Sequence, residues 1–208
     1  MRGGLFAFEG PDGVGKTAVV RGVGQRMQGL GFPVRTLSFP GQATGSLGAL
    51  VYRLHHDPRA VGVERITPEA LQALHVAAHL DAIDRLVAPA LLSDCIVLLD
   101  RFWWSTWVYG RAMWASEGTL DLLVGAERAH WGQRWPTAVV LLERPSPFGA
   151  GAASNEWERH VDLYRELAAS YVDSCPVFRV ANVAPLHEIV CNVTDTLLEL
   201  LERRSHAT

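Results

Sequence analysis

The octet Gly10-Pro11-Asp12-Gly13-Val14-Gly15-Lys16-Thr17 is the part of this sequence whose residue order by itself implies a chemistry. It fits GxxxxGK[ST], which holds phosphate when a strand precedes it and a helix follows it. Here the apolar run Leu5 to Phe8 precedes it, and the helically spaced Ala18 to Leu30 follows. Glycines let such a loop curl until its N–H groups point inward at a phosphate, and the helix N-terminus adds partial positive charge. Gly10, Asp12, Gly13, Val14, Gly15, Lys16, Thr17 and Ala18 are therefore expected to bind ATP, with Lys16 against the β and γ oxygens and Thr17 on Mg²⁺. Lys16 is the only lysine among 19 basic residues. A chain that uses arginine elsewhere keeps the compact ammonium where a guanidinium is too bulky for the cradle. The plainer alternative is a glycine-rich turn with an exposed lysine.

A second charged pair, Asp100-Arg101, directly follows the apolar run Ile96 to Leu99. A carboxylate and a guanidinium at a strand's carboxyl end project into the crevice where such sheets bind ligands. The bland reading is an ion pair capping the sheet. Trp103, Trp104, Trp107 and Tyr109 come next, dense enough to stack on a base or wall an acceptor, and equally suited to a core.

These residues need a scaffold that gathers strand ends. Leu5 to Phe8, Val34 to Phe39, Ile96 to Leu99, Ala138 to Leu142 and Val177 to Val180 read as buried parallel strands. Between them Ala18 to Leu30, Ser46 to Leu54, Pro68 to Leu92, Ser105 to Trp131, Trp157 to Tyr171 and Leu186 to Glu202 have helical spacing. The alternation predicts an α/β fold of three layers, a five-stranded parallel sheet with helices on both faces. With 208 residues, 49% of them hydrophobic and 20% charged, the chain suits one buried core, so residues 1–208 are expected to form a single domain. A net charge of -3 argues against an extended nucleic-acid or polybasic membrane surface, so any partner should be small. No apolar run approaches a membrane span, and Cys95, Cys175 and Cys191 read as reduced core residues, which together give a cytoplasmic expectation.

With its loop and strand ends in this order, the sequence resembles the thymidylate kinase family of nucleoside monophosphate kinases. FEGPDGVGKT is similar to that family's FEGxDGxGKT loop. Phe39-Pro40-Gly41, His75 to His79 ahead of Ala88-Pro89, Asp100-Arg101-Phe102 with Ser105, and Trp135-Pro136 follow in the family order. The resemblance implies a P-loop kinase fold, ATP with Mg²⁺, a small nucleotide-like acceptor and a homodimer. It also implies that Asp12 contacts the acceptor's sugar, that Arg101 grips the acceptor phosphate, that Asp100 sits near Mg²⁺, and that Tyr109 lies on the acceptor side. Phe39, Pro40 and Trp104 are expected near the acceptor as well.

Departures from the family pattern are as informative. The family places an aromatic residue that stacks on thymine and, four residues later, an arginine on its carbonyl edge, where this chain has His75 and His79. Residues four apart share a helix face, and neutral imidazole offers one donor and one acceptor where arginine offers only donors. Zinc binding and two satisfied structural histidines compete with acceptor recognition for this pair. The arginine expected after Pro40 is replaced near Gln42, and the arginine-rich lid is shortened near residues 144–156, leaving Arg144 and Arg159 as candidate catalytic cations. An ATP-dependent phosphotransferase acting on a nucleoside monophosphate, a pyrimidine other than dTMP, is the leading expectation. A kinase of a nucleoside or other small hydroxyl compound and a non-catalytic nucleotide sensor are the alternatives.

Overall fold

The pleat of the first strand already divides the molecule into two cores. In β1 (Leu5–Glu9), Leu5 and Ala7 enter one apolar cluster while Phe6 and Phe8 enter the other, because successive side chains of a strand point to opposite faces. A computed structural model describes residues 3–149, 154–171 and 175–206. Its elements after β1 are α1 (Lys16–Gly29), β2 (Val34–Ser38), α2 (Leu47–His56), α3 (Pro68–Ala82), α4 (Ala88–Leu92), β3 (Ile96–Asp100), α5 (Trp103–Ala112), α6 (Glu117–Trp131), β4 (Ala138–Glu143), α7 (Asn155–Tyr171), β5 (Val177–Ala181) and α8 (Leu186–His206).

The five strands are all parallel, in the order β2-β3-β1-β4-β5. Helices α1 and α8 pack together over one face, where Val19, Val23 and Met27 meet Val193, Leu197 and Leu201. The other face is covered from α3 to α7, with Trp103, Trp104, Trp131 and Tyr164 as its largest fillers. The expected α/β architecture is therefore the observed one. Two strands differ from expectation in burial: β2 and β5 are the sheet edges, and each is only partly buried.

Two long helical segments are interrupted, each for a local reason. Between α3 and α4 the chain makes a π turn at Ile83–Val87, because Pro89 has no N–H to give the carbonyl one turn back. The stretch Ser105 to Trp131 divides into α5 and α6 because Trp114 takes a left-handed conformation, φ 64°, which no helix interior tolerates. Register brings the chemistry together: Asp100 pairs with Phe8 of β1 and Ser38 of β2, so the phosphate loop, Asp100 and Phe39 stand at the same carboxyl end of the strands. No helix among the described residues is long and apolar enough to cross a membrane.

Candidate active site

The loop from Gly10 to Gly15 joins β1 to α1 through backbone that only glycine adopts easily. Gly10, Gly13 and Gly15 have φ of 138°, 81° and 91°. A Cβ on Gly15 would lie 2.6 Å from Asn182 Nδ2 and 2.7 Å from the Phe148 ring, so the loop has no room for a side chain there. Lys16, the first residue of α1, folds back and donates from Nζ to the carbonyl oxygens of Gly10 at 2.9 Å and Pro11 at 3.4 Å. Burial, reinforced by the nearby Arg101 guanidinium, lowers its pKa to about 8. Thr17 Oγ1 donates to Asp100 Oδ2 at 2.6 Å. A hydroxyl and a carboxylate side by side beneath a phosphate loop are hard oxygen donors of the kind Mg²⁺ prefers.

Across the crevice Arg101 holds a left-handed backbone, φ 83°, which costs a non-glycine residue conformational energy and is fixed by its N–H bond to Phe8 O at 3.0 Å. Its guanidinium bonds Asp12 Oδ1 and, at 3.1 Å, Ser105 Oγ, and lies 5.2 Å from the centre of the Tyr109 ring. Burial raises the Asp12 carboxyl, but Arg101 and Lys16 outweigh it and hold that group below the usual carboxylate range. Tyr109 Oη accepts the Asp12 N–H at 3.1 Å, and burial pushes its own pKa up to about 12. Beneath this layer sits Glu9, fully buried. It accepts from Phe102 N at 2.7 Å, Ser105 N at 3.2 Å, Ser105 Oγ at 2.8 Å and Tyr164 Oη at 3.1 Å, and burial raises its pKa. Glu9 thus anchors the turn that aims Arg101.

The far end of the crevice is a histidine wall. His75 Nε2 meets His55 Nδ1 at 3.2 Å, and burial together with His79 and His55 pushes the His75 pKa down to about 3. His79 bonds Glu127 Oε2 through Nδ1 at 2.7 Å and stacks on Phe39 with 4.4 Å between ring centres. His56 stacks on Tyr52 at 4.0 Å. Gln72, three residues before His75, is 1% exposed, and its amide nitrogen has no partner. Apart from Glu127, which is buried behind them, these side chains line one crevice of about 850 Å³ that also exposes Asp12, Lys16, Thr17, Asp100, Arg101 and Tyr109.

Most expected residues converge on that crevice, including Gly13, Gly15, Ala18, Phe39, Pro40 and Gln42. Five do not line it, and one of these, Gly10, instead accepts the Lys16 ammonium on its carbonyl oxygen. Trp104, expected at the acceptor, is fully buried in the core among Trp103 and Tyr171, because α5 begins at Trp103 and turns its apolar face to the sheet. The Val14 side chain is core too, while its carbonyl accepts from Asn182 Nδ2 at 2.7 Å. Arg159 lies 3.6 Å from the Trp114 ring and donates to Arg111 O, at the end of α5. Arg144 lies over the Phe148 ring at 3.6 Å and bonds Asn182 O, beside the phosphate loop. Within the shortened lid, residues 150–153 fall outside the described residues.

Sequence reasoning missed Glu9, Tyr52, His55, His56, Gln72 and Thr106. Glu9 carried a usable signal, a carboxylate at the end of an apolar strand like Asp100. His55 carried none, because its partner His75 lies 20 residues away on another helix, and His56 is bound, among the described residues, only to Tyr52 of its own helix. No group of three or more His, Cys, Asp or Glu side chains among the described residues could hold a metal ion, so the zinc reading of His75 and His79 finds no third ligand.

A cradle for two or three phosphates, a hydroxyl–carboxylate pair beneath it and a guanidinium facing it can align a phosphate donor with an acceptor. Comparison with known proteins agrees. The thymidylate kinase family model matches residues 8–147. A thymidylate kinase of Caulobacter vibrioides is 29% identical, covering 96% of this chain and 98% of its own length. A probable thymidylate kinase of Pyrococcus horikoshii is 25% identical over 96% of this chain and 100% of its own. A thymidylate kinase of a Bradyrhizobium species is 32% identical over 74% of this chain and 65% of its own.

Proposed function

This chain belongs to the thymidylate kinase family and is a nucleotide kinase, and on that premise we propose that it moves the γ-phosphoryl group of ATP onto a nucleoside monophosphate whose base is not thymine. The observation that carries the reading is one crevice with the phosphate loop at one end, Arg101 and Asp12 at its middle and the histidine wall at the other. Lys16 leaves the Gly10 and Pro11 carbonyls to neutralise the β and γ oxygens, while the loop N–H groups hold the β-phosphate. Thr17 and Asp100 would hold Mg²⁺, which draws charge from the transferring phosphoryl oxygens when bound. Arg101 exchanges Asp12 for the acceptor phosphate, a bidentate partner better matched to a guanidinium, and Asp12 is then free to meet the acceptor's sugar. Tyr109 holds the backbone of Asp12 in that position.

Two features set the acceptor apart from thymidine monophosphate. His75 and His79 stand where a stacking ring and a charged fork would read thymine, and a lost charge-assisted hydrogen bond costs roughly 1.5 to 3 kcal/mol, about tenfold to a hundredfold. Gln42, not an arginine, stands beside the acceptor phosphate path. A panel of nucleosides and nucleoside monophosphates incubated with Mg-ATP, read by product mass, tests the assignment. A diphosphate product from a monophosphate other than dTMP supports it. Preferred phosphorylation of dTMP refutes the specificity, and phosphorylation of nucleosides alone refutes the acceptor class.

A further inference from the structure

The ring of His79 is held at one edge and on one face. Its Nδ1 is 2.7 Å from Glu127 Oε2, its face is stacked on Phe39, and Phe39 in turn packs on Trp131 at 5.7 Å. Glu127 comes from α6 and is fully buried, and its second oxygen accepts the Trp131 indole N–H at 3.3 Å. A carboxylate accepting on both oxygens can only accept from His79, so the proton of a neutral ring sits on Nδ1. That leaves Nε2 as a bare lone pair on a side chain that lines the acceptor crevice and makes no other hydrogen bond among the described residues. The neighbouring His75 directs its Nε2 to His55.

A lone pair fixed in this way needs a donor from the ligand. We infer that His79, set by Glu127 acting as a positioning residue, selects an acceptor whose base presents an exocyclic amino group and discriminates against the matching carbonyl base. The inference rests on the nucleoside monophosphate reading above and sharpens it. A carbonyl aimed at Nε2 would set two acceptors against each other and leave both unpaired, which a closed site rejects more strongly than a missing methyl group. An amino group at the same place donates one hydrogen to Nε2 without moving the ring.

Matched pairs that differ only at this edge test it: dCMP against dUMP, and dAMP against dIMP, each with Mg-ATP. In whichever pair is turned over, kcat/KM is expected to favour the amino member by about tenfold or more. His79→Arg is expected to reverse that preference. Glu127→Gln, whose amide can donate to Nδ1 and free the opposite tautomer, is expected to bring the ratio to within about threefold of one. The wild-type pairs decide the matter alone if a variant fails to fold. A carbonyl member used equally well or better overturns the inference while leaving the kinase reading standing. Turnover of no monophosphate in either pair or in the wider panel overturns both.

Discussion

Lys16 holds its ammonium against the carbonyl oxygens of its own loop, buried enough that its pKa falls to about 8. In the free protein the cost of keeping this charge is borne in full below about 8 and is relieved as the pH climbs toward the ordinary 10.5. A triphosphate needs the charged form and pulls its pKa back up. Binding of a non-hydrolysable ATP analogue near pH 8 is therefore expected to take up protons, and affinity to fall as the pH rises further. Calorimetry in two buffers of different ionisation heat measures the uptake, and its absence, with pH-independent affinity, would remove Lys16 from the phosphates. Gln72 is the opposite case, a polar group with nothing to hold. Its unpartnered amide costs about 1 to 3 kcal/mol. Gln72→Leu is expected to raise Tm by about 2 to 4 °C, since 1 kcal/mol shifts a chain of this size by that much, and to raise the acceptor KM. A higher Tm with unchanged KM would make Gln72 a packing defect and not a ligand contact. Lys16, Thr17 and Asp100 could be read from sequence because a contiguous motif or a strand end announces them. Gln72 could not, since what defines it is burial against helices that come much later in the chain.

At the level of elements, the five strands and most helices were legible because each carries its own periodicity. The break between α5 and α6 was not, as one left-handed residue, Trp114, decides it. The role of the segment after β4 was hidden as well, although its composition marked it as a loop. Phe148 donates its N–H to Gly13 O at 2.8 Å and sets its ring where a Cβ on Gly15 would go, while Arg144 lies over that ring and bonds Ser146 O and Asn182 O. The segment is thus a strap laid on the phosphate loop, joining it to the turn after β5. The Arg144 guanidinium is thereby held between the Phe148 ring and Asn182 O, beside the phosphate loop. Phe148→Ala removes a cation–π contact of about 1 kcal/mol and loosens the cradle. The KM for ATP is expected to rise about fivefold, with the acceptor KM moving less. A change confined to the acceptor would place the strap on the wrong side of the crevice.

Over the whole molecule, the fold concentrates imidazoles at one end of its crevice, with His55, His56, His75 and His79 within a few ångströms of one another and Arg101 beyond them. The sequence announces only its α3 half, His75 and His79, since the α2 half joins it through packing alone. Its consequence for stability has a definite sign. His75 titrates at about 3 in the folded state against 6.5 unfolded, held down by burial first and by the neighbouring imidazoles second. Between those values the unfolded chain binds a proton that the native chain refuses, so this contribution is complete above about 6.5 and is lost as the pH falls toward 3. The slope is up to about 1.4 kcal/mol per pH unit for one group. Glu9 works the other way: its raised pKa favours the folded state at low pH and loses that advantage as the pH rises through 4.5. The two effects overlap in a single melting curve, and a variant separates them. His75→Phe keeps an aromatic ring on α3 and removes the titration, so its stability, followed by urea unfolding across the acid range, is expected to decline less steeply with acidification than that of the parent chain. Parallel curves for the two proteins would show that the wall admits protons freely and that another group governs the acid limit.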